Sequence, residues 1–340
     1  LLNYKKIDDS ILRPVGAGLS ILYPLVIGLL CHNLVISQFG VLGAFSYLAF
    51  QKVSIAYNLK ATLYHGLSLI AAFILGVFVS KAIFLLPFVI AMLYIIGFLA
   101  TKIYRIPKPG HFFVIMVFAT ATNLNLPLYD LPKMSGYISI GVISGMINAV
   151  LLSYIEKLPW QGEQDAFQRL SFKDKYYVTI YNRPRVWIDA INFAFILFVA
   201  GYIAYLLRQD FGYWVLISSA AVLSGEEVAI IKHRYLGRIL GSIIGLLIGA
   251  VLISLPLSTL TIMNILLFLN ISVEYFMPRN YALANFFTNP LVLLLSLLTT
   301  KRDHTDLILG RLNGVIIGSL LVGLLIGLMH YALKTNDNEF

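Results

Sequence analysis

The stretch Gly237-Arg-Ile-Leu-Gly241-Ser-Ile-Ile-Gly245-Leu-Leu-Ile-Gly249 decides the fold. Glycine at every fourth position of an apolar run stacks on one helical face. It lets a second backbone approach closely, as helices packed inside lipid do. The same small-residue spacing stands 173 positions earlier, at Ser68, Ala72 and Gly76. A second ladder, Gly310, Gly314 and Gly318, has its last two members matched by Gly141 and Gly145 at that same offset. Pro107-Lys108 returns as Pro278-Arg279. Recurrence over this period predicts two parallel bundles of one architecture.

Composition agrees with a membrane solvent. Of 340 residues 59% are hydrophobic and only 12% charged, where globular chains carry about 25% charged residues. The net charge of +9 would suggest nucleic acid in a soluble chain. Here the cations occupy short loops beside apolar runs, which points to headgroups instead. The single cysteine, Cys31, builds neither an intrachain disulfide nor a thiolate metal site. The first apolar stretch carries Pro14 and Pro24 and runs directly into another, unlike a cleavable leader.

At about 20 apolar residues per pass, the chain reads as all-α with twelve transmembrane helices. They fall near 14–32, 35–50, 61–80, 82–104, 111–127 and 136–156, then 187–207, 211–225, 236–256, 258–276, 281–299 and 310–333. Three units follow: a six-helix bundle over 1–156, a short cytoplasmic linker over 157–186 and a second six-helix bundle over 187–340. The short second and eighth helices read as tilted or partly buried. Most Lys and Arg fall on the side that holds both termini, which predicts cytoplasmic termini. Six passes per half is an even number, so the halves are parallel repeats.

Candidate functional residues follow from charge placed among apolar helices. Arg238 and Arg311 open the two ladders in the shared pattern R-x-x-G-x-x-x-G. A cation at a helix N-terminus opposes the dipole by roughly 0.3–1 kcal/mol. An anion held by guanidinium and free amides would relieve that mismatch, although ordinary loop charge also accounts for Arg238. Gly241, Gly245, Gly249, Gly314 and Gly318 read first as helix-packing positions. His65 stands 173 positions before Arg238 and titrates near neutrality, which suits proton coupling. An interfacial histidine bonded to a neighbour is the plainer reading.

Glu226 and Glu227 close the eighth helix beside Lys232, His233 and Arg234. They read as a solvated cluster or as a gate and proton acceptor. Asn285, Thr288, Asn289 and Pro290 interrupt the eleventh helix. Thr120, Thr122, Asn123 and Asn125, ending at Pro127, interrupt the fifth. Breaks of this kind are tolerated where they line a cavity. Asn148, Asn192 and Asn264 read as interhelix hydrogen bonds. A Walker loop, H-E-x-x-H, G-x-S-x-G and paired cysteines are all missing from the sequence. The expectation is therefore no enzyme, no cofactor and no metal.

Three segments carry a family resemblance. They are Phe211-Gly-Tyr-Trp-Val-Leu; Glu226 through Arg238-Ile-Leu-Gly-Ser-Ile-Ile-Gly245; and Arg279-Asn-Tyr-Ala-Leu-Ala-Asn-Phe-Phe-Thr288-Asn-Pro-Leu-Val-Leu-Leu. With Arg311-Leu-Asn-Gly314 they resemble the fusaric acid resistance (FUSC) family over about 211–325. That family is similar to aromatic acid exporters and, more distantly, to plant aluminium-activated malate channels. The first half matches in outline only. The resemblance places Arg238, Gly241, Gly245, Tyr281, Thr288, Pro290, Arg311 and Gly314 on motif positions. Ser242 stands where the family usually has Thr, and the linker is shorter than the cytosolic domain of many members.

The resemblance implies a multi-pass protein of the bacterial inner membrane that exports small organic, including aromatic, carboxylates. Arg238, Arg311, His65, Thr288, Asn289, Asn285, Thr122 and Asn123 would line the path. His65, Glu226 and Glu227 would couple protons or gate. A passive anion channel and a non-transporting scaffold subunit are the alternatives. The expected partners are the anion and the bilayer, with homo-oligomerisation open and no nucleic acid.

Overall fold

The computed structural model describes residues 11–162, 170–208, 211–297 and 304–336. Among these the chain is helical throughout, without strands. The first half holds α1 (Leu12–Leu30), α2 (Leu34–Ala44), α3 (Ile55–Lys81), α4 (Leu86–Ile103), α5 (Phe112–Thr122) and α6 (Leu131–Ile155). A short α7 (Phe172–Tyr176) and a π turn over Tyr177–Tyr181 lie in the linker, whose residues 163–169 are outside the described set. The second half holds α8 (Arg185–Leu206), α9 (Gly212–Leu223), α10 (Val228–Ser254), α11 (Thr259–Phe276), α12 (Tyr281–Leu297) and α13 (His304–Asn336).

Local chemistry sets the ends of these elements. Asn33, Ser54 and Ser258 cap α2, α3 and α11 through side-chain oxygens that accept from Val35, Tyr57 and Thr261 amides. Proline stands in the first turn of α4 and α6, where its missing N–H costs nothing.

Eight helices are long and apolar enough to cross a membrane: α1, α3, α4, α6, α8, α10, α11 and α13, some with short flanking turns. Four apolar helices are shorter: α2, α5, α9 and α12. The expectation of twelve full passes is therefore met in length by eight. Eleven residues, the length of α2 and α5, reach only about 17 Å at 1.5 Å per residue. α2 continues as a 3-10 turn over Phe45–Ala49, and α9 is buried along most of its length. These short helices meet neighbouring helices where the long ones meet lipid. The long helices present an apolar outer surface, with Leu67, Phe78, Phe88, Met92, Phe195, Leu247 and Val251 exposed. Together these features describe a multi-pass membrane protein.

Within the first half α2 packs on α1 and α6, and α3 packs on α5 and α6. Within the second, α9 packs on α8 and α13, α10 on α12 and α13, and α11 on α12. α4 crosses the seam to α8, and α11 crosses it to α1. One kink shows how backbone needs are met. Pro24, inside α1, cannot donate to the carbonyl of Ser20, and Ser144 Oγ on α6 donates to that oxygen at 2.6 Å.

Several sequence expectations are corrected. α12 runs unbroken through Pro290, because α10 and α11 brace it on two sides. The fifth helix does stop at Thr122, and its polar run continues as non-helical chain to Pro127. Asn148 and Asn264 donate within their own helices, to Ser144 and Leu260 carbonyls. The interhelix amides are instead Asn58, which donates to Ser153 Oγ at 2.9 Å, and Asn270, which donates to the Ala17 carbonyl at 3.0 Å.

Candidate anion centre

The glycine ladder of α10 faces α12. A Cβ built on Gly245 would sit 2.5 Å from the Asn285 carbonyl oxygen, and one on Gly249 would meet Leu293 and Pro290. A side chain at Gly245 would therefore push the two backbones apart. The ladder of α13 does the same work against α9, where Gly314 meets Trp214 and Gly318 meets Val215 and Ser218. These approaches draw α9, α10, α12 and α13 together, and the site is built at their junction.

Arg238 leaves α10 one turn before Ser242 and donates from Nη1 to Asn285 Oδ1 at 3.0 Å. Arg311 leaves α13 and donates from Nε to Asn289 Oδ1 at 2.6 Å. Asn285 and Asn289 stand one turn apart on α12. Each spends its NH2 on its own helix, on the Tyr281 and Asn285 carbonyls. That orients both amide oxygens as acceptors for the arginines. The Arg311 guanidinium also lies over the Trp214 ring, 4.1 Å from its centroid. Relative exposures are 5% for Arg238, 2% for Arg311, 0% for Asn285 and 1% for Asn289.

The electrostatics of this centre are incomplete. Neither guanidinium has a carboxylate within ion-pair distance among the described residues. An amide acceptor and an aromatic face each contribute about 1–3 kcal/mol, yet neither cancels a charge. Arg238 and Arg311 lie within electrostatic reach of each other. Two buried cations within reach of each other repel more strongly than they would in water. Arg238 Nε, Arg311 Nη1 and Ser242 Oγ have no hydrogen-bond partner among the described residues. Buried charge of this kind is ordinarily paired. The chemistry that fits is an anion with at least two acceptor oxygens.

The dipole argument for these arginines is corrected. α10 begins at Val228 and α13 at His304, so Arg238 and Arg311 project from helix interiors. The polar run Lys232-His233-Arg234 is helical, since solvated charges extend a helix beyond its apolar part.

Other candidate residues lie elsewhere. Thr288 donates to the Ala284 carbonyl of its own helix at 2.8 Å. His65, on α3, has Nδ1 3.4 Å from the Ser46 carbonyl oxygen and a buried Nε2 without a partner among the described residues. Thr122 and Asn123 line a cavity at the far ends of α3, α5 and α8. Glu226 and Glu227 occupy the α9–α10 turn. Their ion pairs reach the first half, and Glu226 is also within electrostatic reach of Arg234. Lys102 meets Glu226 at 2.6 Å, Lys108 donates to the Gly225 carbonyl at 2.7 Å, and Lys108 stands 3.9 Å from Glu227. Glu226 sits in the left-handed region at φ 63, a conformation uncommon outside glycine. Arg234 donates to Ser224 Oγ at 2.6 Å and lies over the Tyr281 ring.

Trp214 as a platform and Lys102 as the partner of Glu226 were not foreseen as site residues. A buried aromatic beside Gly314, and a lysine closing an apolar helix, were the available signals.

No curated protein and no solved structure matches the chain. Residues 199–326 match the family model described as fusaric acid resistance protein-like. Trp214, Glu226, Arg238, Asn285, Asn289 and Arg311 all fall inside that segment. The chain is thus a multi-pass membrane protein whose second half is similar, over residues 199–326, to the fusaric acid resistance protein-like family.

Proposed function

We propose that this protein is a secondary transporter that moves small organic carboxylates, including aromatic ones, out across a bacterial plasma membrane. The observation that carries the reading is the pair of buried guanidiniums on Asn285 and Asn289 with no acidic partner among the described residues. A carboxylate there would take the free Nε and Nη1 donors and remove the mutual repulsion. Both arginines are nearly inaccessible. That favours an occluded carrier site over an open channel, since a carrier exposes its site to one side at a time.

In this reading 1–156 and 187–340 are parallel repeats, with both termini cytoplasmic. Support comes from matched pairings: α2 on α6 as α9 on α13, α3 on α5 as α10 on α12, and α4 on α8 as α11 on α1. The repeats have diverged at the site. At the 173-residue offset, Arg311, Asn285, Asn289 and Trp214 correspond to Ile138, Phe112, Met116 and Val41, and Arg238 to His65. In this reading the second half holds the anion, while the equivalent junction of the first half is apolar apart from His65. Proton coupling would run through Glu226, released from Lys102 when the halves part.

The test is efflux of radiolabelled benzoate from proteoliposomes. Arg311→Gln and Arg238→Gln should each lower the rate at least about tenfold, the loss of one charge-assisted bond, with unchanged monodispersity. Wild-type rates in both variants would refute the anion centre. Efflux indifferent to an imposed pH gradient would remove the coupling alone.

A further inference from the structure

A second polar feature lies apart from the buried arginines. A cavity of about 440 Å³ opens where α3, α5 and α8 end and α4 and α9 begin. Its volume lies in the range of small-ligand sites, about 300–1,000 Å³. Ser80, Thr122, Asn123, Asn125, Arg208 and Tyr213 supply its polar lining. Ser80 and Thr122 donate their hydroxyl protons to Val77 and Ala119 of their own helices. Arg208, with its guanidinium 5.3 Å from the Tyr205 ring, is the charged group lining it among the described residues.

Tyr213 connects this cavity to the interior. It lines the cavity, its ring lies 4.5 Å from that of Trp214 at a 36° tilt, and it lies within electrostatic reach of Arg311. Tyr213 and Trp214 thus stand between the cavity that Arg208 lines and the Arg311 guanidinium. The opposite face is the one tied by Lys102 and Glu226.

We propose that this cavity is a second binding station for a small monocarboxylate, with Arg208 taking its charge. Tyr213 forms the partition between this station and Arg311. A single guanidinium matches a single negative charge, while the amides of Asn123 and Asn125 add neutral hydrogen bonds. The position of the station on a transport route rests on the reading of the buried arginines, but carboxylate binding in the cavity does not.

The test uses the full chain with Cys31→Ser and Asn125→Cys, in nanodiscs of neutral lipid. N-ethylmaleimide should label Cys at position 125, and benzoate at ten times its Kd should slow labelling about tenfold. Arg208→Gln should abolish that protection at the same concentration, while Arg208→Lys keeps part of it. Protection should persist in Arg311→Gln, and this separates the two sites. Failure to label, or labelling that benzoate leaves unchanged in the parent, overturns the station. Protection by phosphatidylglycerol discs with none by benzoate also overturns it, because the site would then hold a lipid headgroup. Normal transport by Arg311→Gln would instead sink the buried centre and leave the station standing.

Discussion

Two amides on one helix decide how the charge is held. Asn289 offers its oxygen to Arg311 because its NH2 is committed to the Asn285 carbonyl. Asn289→Asp therefore places a carboxylate where a solute anion would bring one. Folding should be retained or improved, since the buried cation gains a partner. The apparent KM for carboxylate should rise at least about tenfold, as one charge-assisted interaction is pre-empted. An unchanged KM with a raised Tm would assign Arg311 to structure.

Helix interfaces carry the next level. Gly245 and Gly327 are both helical glycines, but only the first is pressed against another backbone. A Cβ at Gly327 would meet nothing within 4 Å. Gly245→Ala should lower folded yield and Tm, by about 1–3 kcal/mol for overpacking, while Gly327→Ala should be neutral. Equal effects would refute the ladder as a packing device. Ser144→Ala should likewise cost about 1–3 kcal/mol by orphaning the Ser20 carbonyl at the Pro24 kink.

Most of this scale was legible in the chain. The glycine spacing marked the faces, and hydropathy placed the long helices. Hydropathy also trimmed the polar first turns of α10 and α13, which put the arginines wrongly at helix ends. It lengthened α5 and misjudged α12, because proline in a braced helix does not break it. The four residues were named from the sequence, but the pairing of Arg238 with Asn285 and of Arg311 with Asn289 was not, and neither was the Lys102–Glu226 contact. Pairing across 124 positions is set by how the halves dock, and no local pattern encodes that.

The whole molecule combines a buried cationic centre, a cavity on one face and an ionic clasp on the other. In the proposed carrier, alternating exposure would require the clasp to open. Glu226→Gln should raise accessibility to thiol reagents on the Lys102 face, read with a cysteine at Ser224, and shift efflux. Unchanged accessibility would make the contact a passive surface pair. The central claim is that a carboxylate occupies the space between Arg238 and Arg311. A cryo-EM map of the wild-type protein in saturating benzoate tests it most directly. Density bridging the two guanidiniums beside Asn285 and Asn289 is the predicted result. A map with both side chains ordered as described and no density between them would contradict the account.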